Sequence, residues 1–155
     1  MYNQQQIDAL TIKDLYESDY LLWLQKTSQL LKDKDFAGLD LENLIEEIES
    51  LGRSDRNKLI SSLRLIYQHL LKWQYQPHKR SKSWRNTISR ERDNISDYLE
   101  DIPSLINLLE DEAVLTKAYQ RGRRDAIKET GITNFPQELP YAIEQALDHN
   151  FLPEN

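Results

Sequence analysis

Apolar residues recur at three- and four-residue steps through Leu41, Leu44, Ile45, Ile48 and Leu51. At about 100° per residue that spacing puts them on one side of a helix. Asp40 precedes the run as an N-cap candidate. Glu42, Glu46, Glu49 and Arg53 form a second, charged line beside the apolar one. Gly52 then interrupts the pattern; glycine costs roughly 1 kcal/mol against alanine inside a helix, so it marks either a break or a close helix contact. The period resumes in Leu59, Ile60, Leu63, Ile66, Tyr67, Leu70 and Leu71, flanked by His69, Trp73 and Gln76. Pro77 ends it, because proline lacks an N–H and disfavours helical geometry in the residue before it.

Before that stretch, residues 1–13 read as a flexible arm and Leu15 to Leu31 as one helix capped by Asp14. Tyr20, Leu21 and Leu24 are expected to widen its buried face. After it, Ser83 is the expected cap of a helix that sets Trp84, Ile88, Glu91, Ile95, Tyr98 and Ile102 near one meridian, an acid inside an apolar stripe. Leu105 to Leu109 makes a short apolar segment. Val114 to Thr130 follows as a helix whose Ala118, Gly122 and Ala126 would let a neighbour approach closely, with Gly131 placed as its C′ residue. Tyr141 to Leu147 is the last short helix. No strand-like alternation persists, so the pattern predicts an all-α, single-domain helical bundle of about five to seven helices over residues 14–153.

Composition narrows the chemistry. The 155 residues include no cysteine, which removes disulfides, thiol nucleophiles and cysteine zinc sites, and three histidines without metal-ligand spacing. The four glycines form no phosphate-binding loop. No run of about 18 apolar residues offers a membrane span, and the polar start lacks a secretory core, so the expected compartment is the cytoplasm, without membrane association. Charge is arranged in blocks: net −7 over residues 1–51, +3 over 52–71, +6 over 72–92 and −8 over 93–155.

Two groups of residues could carry function. Glu46, Glu49, Arg53, His69, Glu91 and Glu129 form a candidate polar cluster, either a carboxylate and histidine site between helices or, as spacing favours, ion pairs that fix helix register across an interface. Lys79, Arg80, Lys82 and Arg85, with Trp73 and Trp84, form a candidate interaction surface in the basic segment 72–92. Cations beside stackable rings suit single-stranded nucleic acid, but the rest of the chain carries net −12 and opposes it.

The motifs DLYESDYLLWL, LDLENLIEEIESLGRSDR, HLLKWQYQPHKRSKSW and FPQELPYAIEQALDHNFLP together make the chain resemble the domain-of-unknown-function 29 family from about residue 14 to 153. The resemblance implies an all-helical, single-domain bacterial protein and no assigned activity. The expected function is a non-enzymatic protein-interaction module that binds another protein or a second copy of itself. A nucleic-acid-associated protein using segment 72–92 is the alternative, and a metal-dependent hydrolase ranks last. No residue is given a catalytic or metal-ligating role, and no cofactor is expected.

Overall fold

The computed structural model describes residues 10–154. Most of the expected N-terminal arm, residues 1–9, lies outside the described residues. Two compact units divide the chain, Met1–Arg53 and Ser54–Asn155. Among the described residues there are seven α-helices, three short 3-10 turns and no strand. No helix there is long and apolar enough to cross a membrane.

In the first unit, α1 (Ile12–Ser18) starts at a reciprocal cap: the Thr11 hydroxyl accepts from the Asp14 N–H, and the Asp14 carboxylate accepts from the Thr11 N–H. The single helix expected from Leu15 to Leu31 is instead two. Asp19 stops α1 with φ −151° and ψ 79°, and its carboxylate caps α2 (Tyr20–Lys32) by accepting from the Leu22 N–H at 3.0 Å. A short polar side chain that bonds the backbone itself favours an end over a helix interior. Trp23 is fully buried, its indole N–H donating to Asp40 at 3.2 Å, with the rings of Tyr16 and Tyr20 5.0 and 5.8 Å away. Contrary to the expected buried face, Tyr20, Leu21 and Leu24 stand exposed.

Helix α3 (Leu41–Tyr75) runs unbroken through Gly52 and contributes to both units. In the second unit it is joined by α4 (Lys82–Asp101), α5 (Ile106–Leu109), α6 (Glu112–Thr130) and α7 (Ile143–Leu147). Ser81 rather than Ser83 caps α4, because the hydroxyl two residues earlier reaches the Trp84 N–H at 3.2 Å. Leu59, Leu63, Ile66, Tyr67, Leu70 and Leu71 of α3 pack in one cluster with Ile88, Ile95, Ala118, Tyr119 and Phe135. Helix α6 lies close on α3 at Gly122: a Cβ there would stand 2.5 Å from the Arg64 carbonyl oxygen. Gly131 ends α6 with φ 74°, the left-handed conformation expected of its C′ position.

Arg92 ties down the end of the described chain. Its side chain is almost wholly buried, and its guanidinium donates to the carbonyls of Ala146, Gln145 and Phe151 at 2.8, 3.3 and 3.0 Å. These oxygens lie around the C-terminal end of α7, where helix carbonyls lack partners of their own.

Candidate functional site

The six residues of the candidate polar cluster bond in separate sets. Glu46 and Glu49 take their cation from their own helix, not from across an interface: Arg53 reaches Glu46 at 2.6 Å and Glu49 at 3.7 Å, and all three side chains are at least half exposed. Glu91, the acid flagged within an apolar stripe, is buried and accepts four hydrogen bonds: Ser62 at 2.9 Å, Arg90 at 2.9 and 2.8 Å, and Asn94 at 3.1 Å. Burial raises its pKa, but the donors, led by Arg90, more than offset this and hold the carboxyl below its ordinary value. A carboxylate has about four lone-pair sites, so this one has no free site for a metal or substrate.

Glu129 accepts from Gln68 at 2.7 Å and from Lys72 at 2.5 Å. Beside them Ser61, Arg64, Leu65, Gln68, Asp125, Lys128 and Glu129 line an open groove of about 390 Å³, in which Arg64 and Asp125 are paired with each other. His69 is half-buried and its Nδ1–H donates to the Leu65 carbonyl at 2.8 Å. Burial lowers its pKa, so the ring is neutral at pH 7. Among the described residues, no three His, Asp or Glu side chains gather where one metal ion could be held.

The basic turn is exposed from His78 to Arg80 and again at Lys82 and Arg85, while Trp73 is buried and Trp84 half-buried. Arg80 donates to the Trp73 carbonyl at 2.8 Å, near the end of α3, where a cation also meets the negative end of the helix dipole. Its guanidinium lies 5.2 Å from the Trp73 ring centre and that of Arg85 5.4 Å, while the Lys72 ammonium lies 4.6 Å from Trp84. Both rings that would stack on bases are thus already faced by cations of the chain. An open groove of about 560 Å³ remains between Trp73, Arg80, Ser81, Lys82, Arg85 and Asn86.

A third feature was not anticipated as a site. Leu41, Ile45, Ile48 and Leu51 are 55, 54, 62 and 70% exposed. The periodicity marks them as a face to be covered, yet nothing among the described residues covers it. Its edge carries Glu42, which is paired with Lys13 at 2.8 Å, and then Glu46 and Glu49. Glu47, elsewhere on the helix, accepts from the Tyr16 and Tyr20 hydroxyls at 2.6 and 2.8 Å. Those bonds lower the Glu47 pKa and push that of Tyr16 up to about 12.

No curated protein and no solved structure matches the chain. Residues 15–152 match the family model described as Domain of unknown function DUF29. That span takes in the Trp23 cluster, the exposed stripe of α3, the buried Glu91 and the Arg92 anchor alike, and the chain belongs to the DUF29 family.

Proposed function

We propose that the protein is a non-enzymatic interaction module of the cytoplasm that binds another protein through the apolar face of its first unit. One observation carries this reading. Of the ten large apolar side chains that stand exposed among the described residues, nine belong to the first 53 residues: Tyr20, Leu21, Leu24, Leu31, Phe36, Leu41, Ile45, Ile48 and Leu51. Apolar surface left in water forgoes about 25 cal/mol per Å², and the four on α3, Leu41, Ile45, Ile48 and Leu51, share one side of the helix, the kind of exposed apolar surface that marks a binding site. The polar side chains of the second unit support the same reading, because Glu91 and Glu129 are held by fixed partners and His69 has one ring nitrogen committed to a backbone carbonyl.

Site-specific photocrosslinking in cells tests it. A photoreactive residue at position 48 is expected to give a discrete protein adduct, and Leu41→Ser with Ile45→Ser to abolish it. The same residue at position 100, exposed in the second unit, should give none. Equal adducts at both positions, or none at 48, would overturn the proposal.

A further inference from the structure

Gly52 is the least explained residue of the chain. It sits inside the 35-residue helix α3, where glycine weakens a helix relative to alanine, yet its backbone has no positive φ and a Cβ added there would meet nothing within 4 Å. Further along α3, its crossing with α6 shows what such a residue accomplishes when it is used. At the α3–α6 crossing, Gly122 brings the backbones so close that a Cβ would press on Arg64 O at 2.5 Å and on Gln68 N at 3.0 Å. Gly52 lies on the line of Leu41, Ile45 and Ile48, since steps of four, three and four return to one meridian. The first part of α3 therefore has the two requirements of a close helix crossing, an apolar stripe and a residue without a side chain, while α1 and α2 meet it at Glu42 and Glu47 and leave the stripe exposed.

Charge identifies the occupant. Up to Arg53 the chain has 11 acids against 5 bases; after it the counts are 15 and 15, so the entire net charge of −6 belongs to the first unit. Glu42, Glu46 and Glu49 run along the edge of the stripe, more than half exposed, with Lys13 on the first and Arg53 shared by the other two, so that three acids there meet two bases. A second copy packed through the same face would set one −6 unit against another, and an anionic bilayer would be repelled in the same way.

We infer that the first part of α3 receives an amphipathic helix of another protein, apolar on one face and lysine- or arginine-rich along its edge, packed along Leu41, Ile45 and Ile48 and approaching most closely at Gly52. This rests on the interaction-module reading and names the chemistry of its partner. The apolar stripe supplies the buried area, the −6 net charge of the unit selects basic flanks, and Gly52 sets the crossing point.

The test uses the whole chain and two synthetic helices of about 20 residues, long enough to be helical, with the same leucine stripe and either lysine or glutamate edges. Fluorescence anisotropy is expected to show the lysine peptide binding at least about tenfold more tightly, with the gap narrowing as salt rises. Gly52→Leu should weaken the lysine peptide about tenfold or more while leaving thermal unfolding no worse, because leucine is the better helix former. Equal affinity for the two peptides, an unaffected Gly52→Leu variant, binding to phosphatidylserine vesicles in place of peptide, or a dimer in sedimentation that Gly52→Leu dissolves would each overturn the inference. An adduct at position 48 without preference for the lysine peptide would refute this partner and leave the module reading intact. Absence of both adduct and peptide binding would refute the two together.

Discussion

Leu63, Ile66, Leu70 and Leu71 are fully buried, whereas Leu41, Ile45, Ile48 and Leu51 on the same helix are more than half exposed. The residue types and the spacing are alike, so intrinsic helix propensity and periodicity cannot account for the difference. The two glycines repeat the contrast, with Gly122 locked against α3 and Gly52 open. An amphipathic period thus specifies that a face should be covered; what covers it depends on which other face exists. In the second unit α4 and α6 supply that face to α3. For the first part of α3, the described chain supplies none.

The largest test of this contrast is truncation of the two faces. Leu63→Ala should cost about 2–5 kcal/mol, the range for a buried leucine, and Ile48→Ala less than about 0.5 kcal/mol, as for an exposed position. Urea unfolding followed by tryptophan fluorescence can read the units apart, because Trp23 reports on the first and Trp73 and Trp84 on the second. A large loss in Ile48→Ala would show the stripe to be covered and break the comparison. Next come the glycines. Gly122→Ala should destabilise by about 1–3 kcal/mol through overpacking, whereas Gly52→Ala should stabilise by up to about 1 kcal/mol. Thermal melts of the two variants should therefore shift in opposite directions.

Acid sharpens the contrast by a smaller amount. Desolvation depresses the folded-state pKa of His69 below its ordinary 6.5, so the stability linked to it is fully present above that value and is lost as pH falls through the folded pKa. In the first unit Glu47 is depressed below its ordinary 4.5 by the Tyr16 and Tyr20 hydroxyls, so its contribution is lost only in a lower window. Hydrogen exchange from pH 7 to pH 5 should show the second unit loosening first, and His69→Gln should remove that early response. The smallest expected effect is the exposed Glu49–Arg53 pair. A double-mutant cycle with Glu49→Ala and Arg53→Ala should give a coupling of about 0.3–0.5 kcal/mol; several kcal/mol would mean that the pair is buried by something that exposure does not reveal.

Local signals in the sequence were the legible ones. The period of α3, the stop before Pro77, the small-residue seam around Gly122 and the left-handed Gly131 all follow from residues within a few positions of each other. Glu91 was legible as an anomaly, and it is where a buried carboxylate accepts four hydrogen bonds. The break at Asp19 was missed because Tyr20, Leu21 and Leu24 continue a helical period across it, and a capping carboxylate outweighed the pattern. Lys72 and Arg92 read only as members of the basic segment 72–92; both are buried, held by acceptors 57 residues away for Lys72 and 53 to 59 for Arg92. No short window can encode such pairings. The site suffered from the same limit: spacing placed Leu41 to Leu51 on one face, but that no helix among the described residues covers it depends on distant parts of the chain.

The Arg92 anchor orders events while the chain is being made. Its guanidinium leaves the ribosome 53 to 59 residues ahead of the carbonyls that accept from it. At synthesis rates of about 5–20 residues per second it spends several seconds without them. During that interval water is the better surroundings for a charge, and closing a pocket on Arg92 early would bury it without those acceptors. The full clasp needs the Phe151 carbonyl, so it cannot be complete before that residue is made.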